Sequence, residues 1–464
     1  MRTERFFKEL KGKTVTFCGI GRSNMPLIEL FVNKGAVVTA RDRNENLGEN
    51  GEKLKAMGVK MILGENYLDN ITEDMLFRAP GMPYYLPQLT KAREQGTAVT
   101  SEMEVFFDLC PCKIYAITGS DGKTTTTSVI AELLRAEGRT VHLGGNIGRP
   151  LLPIIEEVKE DDIAVVELSS FQLISMRKSP DVAVMTNLAP NHLDVHKDMQ
   201  EYVDAKRNIY LHQNAFSKTV LNLDNEITAQ FITETRGDTY TFSRKEKVTK
   251  GACSVDGKIY MNGEYVMDKA DIRLPGEHNV ENFLAAISAV WGDVSVENIV
   301  KVAKEFGGVA HRMEFVREID GVKFYNDSIA SSPSRVMAGT LATYSDKIIL
   351  IAGGADKKVP FDELGEVICN KVKTLVLLKP AAPIPGKKEP AADKIAEAVK
   401  KAASYSENNP TIIMTNTMEQ AVAAAKAAAA AGDIISLSPG CTGFDMFRDF
   451  EERGNIYKEV VKTL

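Results

Sequence analysis

A run of ten residues, Thr118-Gly-Ser-Asp-Gly-Lys-Thr-Thr-Thr-Thr127, combines the groups that a polyphosphate needs. Glycines let backbone N–H groups approach phosphate oxygens with no Cβ in the way, and a helix N-terminus adds partial positive charge at the same place. Gly119, Ser120, Asp121 and Gly122 make the turn, Lys123 is placed to contact terminal phosphates, and the Thr124 hydroxyl to ligate Mg²⁺, with Thr125 beside it in the same cradle. Two residues separate Gly119 from Gly122 where the usual phosphate loop has four, and GKT in isolation carries little weight. The strand before it and the helix after it supply that weight and point to ATP. A carboxylate follows at Glu167, the end of the apolar run from Asp162. In open α/β sheets ligands gather at the C-terminal strand ends, so Glu167 is well placed to hold a metal ion facing the loop. The competing reading is a glutamate that merely leaves the core; Ser169, Ser170 and Gln172, clustered just after it, weaken that reading.

A second glycine loop lies near the N-terminus. Gly19-Ile-Gly21-Arg-Ser-Asn24 resembles a dinucleotide fingerprint, with Asp42 about 20 residues on. Asparagine occupies the sixth position, where glycine or alanine normally lets helix and strand pack closely. The loop therefore argues less for NAD than for another nucleotide diphosphate, held by the helix N-terminus and Ser23, with Asp42 on the ribose or base.

These residues must be positioned by a repeated strand–turn–helix pattern. Lys13–Cys18, the helical stretch Leu27–Asn33 and Ala36–Ala40 form one βαβ unit. A second begins at Lys113–Thr118 and enters a helix over Thr124–Ala136. The apolar runs Ile163–Val166, Val182–Met185, Lys347–Ile351, Thr374–Leu378 and Asp433–Leu437 read as parallel strands buried on both faces. The pattern predicts an α/β chain of three domains: a Rossmann-like N-terminal domain over 1–110, a central ATP-binding domain with a parallel sheet over 111–308, and a Rossmann-like C-terminal domain over 309–464. Proline-rich 379–390 reads as a mobile surface loop, and the alanine run Ala421–Ala431 as a surface helix capped by Gly432.

Composition excludes several classes. With 464 residues and 44% hydrophobic and 26% charged residues, the chain is an ordinary globular one of about three domains. A net charge of −6 argues against a nucleic-acid partner, which needs a basic surface. No run of about 18 apolar residues predicts a membrane-spanning helix, and no signal peptide is evident, so the expected location is cytoplasmic. The six cysteines are scattered, without zinc-type spacing, as in a reduced compartment.

In combination the motifs resemble the Mur ligase family. Residues 118–126 fit its short phosphate loop TGxxGKT[ST]T, and further segments follow in family order: Gly144-Gly-Asn-Ile-Gly148, Glu167-Leu-Ser-Ser-Phe-Gln-Leu173, Thr186-Asn187 leading to His192-Leu-Asp194, and Tyr202-x-x-x-Lys206. Pro275-Gly-x-His-Asn279-x-x-Asn282, His311-Arg312, Asn326-Asp327-Ser328, Gly353-Gly-x-Asp-Lys357 and Phe450-Glu-Glu-Arg-Gly454 complete the series. ELSSFQL and GGNIG resemble the D-glutamate-adding branch. The resemblance implies an ATP-dependent ligase that joins D-glutamate to UDP-N-acetylmuramoyl-L-alanine through an acyl phosphate in peptidoglycan precursor synthesis, with ATP and two Mg²⁺ ions.

It also implies roles for individual residues. Gly21, Arg22, Ser23 and Asp42 would hold UDP, with Asn146, Ser169 and His192 toward the lactyl-alanyl end. Lys123 would cradle phosphates, while Thr124, Glu167, His192 and Lys206 serve the metal ions. Asn279 and Asn282 would contact adenine, and Arg312 and Asp327 the nucleotide. Ser331, Lys357, Phe444 and Phe450 would receive the amino acid. Lys206 matches a lysine that the family carbamylates. An ammonium has no lone pair, and about 4 Å from a dication it would be repelled by roughly 8 kcal/mol at an effective dielectric near 20; CO₂ addition makes it an anion. A solvated helix lysine beside Arg207 is the alternative. Ile329 and Gly443 depart from the lysine and serine common at their positions, which puts amino-acid selectivity in question. The base that takes the amine proton is not identified, with His192 a candidate. The rival functions are a family member of different specificity, an ATPase switch and a nicotinamide oxidoreductase.

Overall fold

Three sheets dominated by parallel strands carry the chain. The computed structural model describes residues 2–21, 23–192 and 195–464. The first sheet holds β1 (Thr14–Cys18), β2 (Val37–Asp42), β3 (Lys60–Leu63), β4 (Met75–Arg78) and β5 (Ala98–Thr100) in the order β3-β2-β1-β4-β5, every pair parallel. The order reverses at β1, so the C-terminal ends of β1 and β4 flank the crevice where such sheets bind ligands.

The second sheet holds β6 (Lys113–Thr118), β7 (Val141–Gly145), β8 (Ile163–Glu167), β9 (Val182–Met185), β10 (Lys218–Asn222), β11 (Asp238–Ser243), β12 (Gly251–Val255), β13 (Lys258–Met261) and β14 (Glu264–Asp268). Its order is β14-β13-β12-β11-β10-β9-β6-β8-β7, parallel from β7 to β12 and antiparallel in the last two pairs. Every residue of Ile163–Glu167 is buried, as a near-continuous apolar run covered on both faces should be. The third sheet holds β15 (Glu314–Ile319), β16 (Val322–Asn326), β17 (Ile348–Ala352), β18 (Val372–Leu378), β19 (Thr411–Thr415) and β20 (Ile434–Leu437), ordered β15-β16-β20-β17-β18-β19 with only the first pair antiparallel.

One expectation is corrected. The alanine-rich helix runs Met418–Ala427, and Gly432 is not its cap. The Asp433 carboxylate draws the Ala430 N–H to itself at 2.6 Å, which ends the helical ladder early, while Gly432 donates to the Gly321 carbonyl. Met418, Ala421, Val422 and Ala425 are buried against the third sheet, so the helix faces the core along one side. The proline-rich segment is an exposed loop, as expected; Lys388 N donates to Phe444 O, Asp356 N to Glu389 O, and Lys387 Nζ to Phe447 O at 3.0 Å.

The chain packs as two compact units, residues 1–272 with 277–305, and 273–276 with 306–464. Within the first, one apolar core runs from Phe7, Phe17 and Phe106 under the first sheet to Leu151, Met185 and Leu221 under the second. Among the described residues no helix is long and apolar enough to cross a membrane.

Glu102 is a charge inside that core. Its Oε1 accepts the Leu151 and Leu152 N–H groups at 2.8 and 2.9 Å, and burial pushes its pKa up to about 7. A carboxyl raised in the folded state stabilises below its unfolded pKa and loses that contribution as pH rises through the folded value. Wild-type stability is therefore expected to fall by roughly 3 kcal/mol between pH 4.5 and 8 from this group alone. Glu102→Gln keeps the acceptor, and chemical denaturation across that range should show the fall removed. An unchanged pH dependence in the variant would refute the assignment.

Candidate functional site

The turn after β6 is shaped by the residues that follow β9. Ser120 N donates to Asn187 O and Asp121 N to Asn187 Oδ1 at 2.9 Å, while Thr186 Oγ1 donates to Asp121 O at 2.6 Å. The Ser120 hydroxyl points into the protein, donating to Ala189 O and sharing a 2.9 Å contact with Tyr202 OH. Ser120 thus sets the shape of the loop, with its own N–H and that of Asp121 both turned to Asn187. Lys123 opens the helix Lys123–Ala136 and donates to Ser120 O at 2.8 Å. Thr124, on the same first turn, is buried, and Thr125 is half-buried.

Asn279 and Asn282 reach this loop from the buried helix Glu277–Val290. Thr126 Oγ1 donates to Asn282 Oδ1 at 3.2 Å, and Asn282 Nδ2 to Asn279 Oδ1 at 3.1 Å. Gly122 is left-handed (φ +76°), and a Cβ there would run into Asn282 Oδ1. Gly122→Ala is accordingly expected to destabilise by about 1–2 kcal/mol from backbone strain alone, and to weaken ATP binding by pushing Asn282 aside. Thermal denaturation and nucleotide titration check this; a variant that binds ATP as wild type would show that Asn282 does not need the glycine.

Glu167 does not leave the core: it is 1% exposed. Its Oε1 accepts Asn146 Nδ2 at 2.7 Å, and Asn146 N also donates to Glu167 O, strapping the GGNIG loop to the end of β8. Oε2 is buried without a hydrogen-bond partner. A carboxylate oxygen in that condition is costly unless a cation or donor meets it, which marks a ligand position.

Lys206 corrects the solvated-lysine alternative, because it is 2% exposed. Its Nζ donates to Thr118 Oγ1 at 3.0 Å and to Gly119 O at 2.8 Å, and lies 5.0 Å above the Tyr202 ring. Burial, then the neighbouring Lys123 charge, push its pKa well below the ordinary lysine range, against the pull of Glu167 and Asp121. Its sequence neighbour Arg207 instead pairs outward with Glu234 and Asp204.

The residues fit Mg²⁺. The open Glu167 oxygen and the Thr124 hydroxyl are hard oxygen donors, and among the described residues no three His, Cys, Asp or Glu side chains converge into a metal site. Mg²⁺ is commonly held by one or two carboxylates plus substrate phosphates and water rather than by an all-protein cage.

His192 is exposed at φ +55°, its ring 5.1 Å from the Phe171 ring. Leu193 and Asp194 of that motif lie outside the described residues, as does Arg22. On the other side Phe171 stacks on His196, a residue that no motif marked; it is buried with Nε2 on Ser170 Oγ (2.9 Å) and Nδ1 on Glu201 Oε2 (3.2 Å). Ser169 caps the helical turn Ser170–Leu173 in a reciprocal box with Gln172.

In the first glycine loop the asparagine has its own function. Asn24 is buried and donates to Cys18 O and Gly19 O, at 3.2 and 2.8 Å, bracing the turn that a third glycine would otherwise allow to pack. Asp42 closes the loop from beneath, accepting Ile20 N at 2.6 Å and Asn44 N at 2.8 Å. Gly21 is exposed and Ser23 half-buried at the mouth.

The second unit holds the remaining candidates. Asp327 is buried, accepts Thr340 Oγ1 (2.7 Å), Met313 N (3.2 Å) and Ser438 Oγ (3.2 Å), and burial pushes its pKa up to about 6 with Arg312 opposing. Lys357 and Phe444 are exposed, Ser331 and Phe450 half-buried. At Gly443 a Cβ would stand 3.0 Å from Asp449 O, a tight contact. Arg453, from the last motif, is 1% exposed and binds Ser328 Oγ, Ser328 O and Cys441 O, pinning the Asn326–Ser328 turn to the 441–449 loop.

Family models and known proteins match this chain. Residues 117–290 match the Mur ligase middle domain, and 311–441 the Mur ligase glutamate ligase domain. A UDP-N-acetylmuramoylalanine–D-glutamate ligase of Acetivibrio thermocellus is 51% identical over 99% of this chain and 98% of its own. The Clostridium botulinum (strain Hall) protein of that name is 48% identical, with the same coverage. Among solved structures, a UDP-N-acetylmuramate-alanine ligase from Thermotoga maritima shares the fold at TM-score 0.56 and 18% identity, covering 97% of this chain and 99% of that one. A UDP-N-acetylmuramoyl-L-alanyl-D-glutamate–2,6-diaminopimelate ligase does so at 0.56 and 17%, covering 94% and 88%.

Proposed function

The chain belongs to the Mur ligase family of ATP- and Mg²⁺-dependent amide-bond-forming ligases, and within it we propose that the chain joins D-glutamate to UDP-N-acetylmuramoyl-L-alanine. One observation carries the catalytic reading: the phosphate loop, the partnerless Glu167 oxygen and buried Lys206 meet at one sheet edge. Specificity rests on the full-length likeness to ligases of that name.

The chemistry follows from the groups. A carboxylate is a poor acyl donor until ATP phosphorylates it. The incoming amine then attacks the acyl phosphate, and phosphate leaves. Both reactants are anions, so the protein must offset their repulsion. Lys123 and the N–H groups at the start of the helix Lys123–Ala136 would serve the phosphates, with Asn279 and Asn282 on the adenine side. Thr124, Glu167, His192 and Lys206 would hold two Mg²⁺ ions, whose charge stabilises the transferring phosphoryl group. Residues 1–110, with Gly21, Arg22, Ser23 and Asp42, would take the UDP end; 111–308 ATP and the lactyl-alanyl end, through Asn146, Ser169 and His192. Residues 309–464 would bring Arg312 and Asp327 to the nucleotide, and Ser331, Lys357, Phe444 and Phe450 to D-glutamate. A cytoplasmic location follows from the nucleotide substrates.

Phosphate release from ATP, with UDP-N-acetylmuramoyl-L-alanine present and each D- and L-amino acid offered in turn, tests the proposal. Release confined to D-glutamate is the expected outcome. Release with another amino acid changes the specificity, and release without an acceptor favours the ATPase reading.

A further inference from the structure

Arg78 ends β4 and is 1% exposed, a fully buried cation that none of the roles above uses. Its guanidinium joins two sheet ends. On one side it stands opposite Cys18 in the β1–β4 register, Ala79 N donates to Cys18 O at 3.0 Å, and Arg78 Nη1 donates to Met82 O at 2.8 Å. Gly19, the first residue of the N-terminal glycine loop, is so close that a Cβ on it would lie 2.8 Å from Ala79 Cβ. On the other side Arg78 Nη2 donates to Phe171 O at 2.8 Å and to Ser175 Oγ at 3.1 Å. Phe171 belongs to the helical turn that begins three residues after Glu167, and its ring touches His192. Ser175 Oγ passes the chain on to Glu104 Oε2 at 2.9 Å, which also accepts Ser101 Oγ at 2.8 Å. The guanidinium lies 5.7 Å from the Tyr84 ring.

One side chain thus connects the turn beside the diphosphate loop to the turn beside the phosphoryl-transfer edge. We infer that Arg78 is a positioning residue that fixes the spacing between the site for the UDP end of the substrate and the site for its reacting carboxylate. The inference rests on the proposed function. A substrate that is a nucleotide at one end and an acyl donor at the other gains from its remote end only if the two sites are held at a set distance. A planar fork donating in two directions does this; an ammonium, a single point charge, does not.

The test compares two acyl donors, UDP-N-acetylmuramoyl-L-alanine and N-acetylmuramoyl-L-alanine without the uridine diphosphate, on wild type, Arg78→Lys and Arg78→Met. Wild type is expected to prefer the full substrate strongly. Arg78→Met should lose about 100-fold in kcat/KM on it, the scale of a 1 Å misplacement, with kcat falling as well as KM rising. On the truncated donor the same variant should stay within about threefold of wild type, because only one end is engaged. Arg78→Lys, which keeps the charge, should show the same split and serves if the methionine variant does not fold. Equal losses on both donors, or no loss on either, would overturn the inference while leaving the ligase reading intact. A wild-type chain inactive on both donors would overturn the ligase reading and this inference with it.

Discussion

Lys206→Ala is expected to lower kcat by about 10³-fold, the scale of removing a group aimed at developing charge, and millimolar formate or acetate to restore part of the loss. Lys206 is enclosed, with its amine on Thr118 Oγ1 and Gly119 O and its charge disfavoured by burial and by Lys123. The carbamylation that the family likeness implies would start from the neutral amine: its lone pair would attack CO₂, an N–C bond would form, the amine proton would leave to solvent, and a carbamate anion would replace the amine. The change of charge matters because Lys123 and the bound phosphates share the same edge. A small carboxylate diffusing into the space left by alanine supplies two oxygens of the same charge. Lys206→Arg fills the space with a permanent cation and cannot add CO₂, so it should be inactive and resist rescue. Wild type should slow reversibly when dissolved CO₂ is stripped away. Activity of Lys206→Ala within about tenfold of wild type, or rescue by neutral formamide as well as by formate, would show that the anion is not the point.

The parts of this molecule that are local were legible in its sequence. β6 and β9 fall on Lys113–Thr118 and Val182–Met185, the residues their apolar runs marked, because a strand buried on both faces declares itself without reference to its neighbours. The phosphate loop was legible for a similar reason: its glycines and lysine stand between a strand and a helix that the adjoining residues mark. What depended on distant side chains was not. Nothing near Lys206 in sequence says that Thr118 and Gly119 enclose it, so without the family likeness it would have been read as solvated. Asn24 looked like a defect in a fingerprint, and its two bonds to Cys18 O and Gly19 O show a different way to brace the same turn. Arg78, His196 and Glu102 carried no signal at all, since each acts on backbone or hydroxyl groups from another element. The alanine run failed through a competitor three residues away: Asp433 offered Ala430 a better acceptor than the helix did. Ile329 and Gly443 were legible only as departures, and at Gly443 a Cβ would make a tight contact with Asp449 O.

Glu167→Gln should separate stability from activity most sharply. The change is isosteric, and the new side chain can still accept Asn146 Nδ2 through its oxygen. What it alters is Oε2, the buried oxygen without a partner, which becomes an NH₂ group with no negative charge. Activity at saturating MgATP is expected to fall about 10³-fold, because the oxygen proposed to hold the ion that would stabilise the transferring phosphoryl group is replaced by a donor. Stability in the absence of Mg²⁺ is expected to rise, because a buried carboxylate with one oxygen unpartnered is expensive to desolvate and an amide is far cheaper. Adding Mg²⁺ and nucleotide together should then raise the melting temperature of wild type more than that of the variant, since only wild type gains by linkage from the ion. Melting curves with and without EDTA, beside kinetics on the same samples, read all three effects. A variant that is less stable than wild type without Mg²⁺, or that keeps the full Mg²⁺-linked rise, would mean that Oε2 is held by the protein for structure and that the ion is bound elsewhere. The opposite signs are the point of the experiment, because a merely disruptive substitution lowers stability and activity together, whereas a metal ligand held in readiness is a site where the fold gives up stability that the bound ion returns.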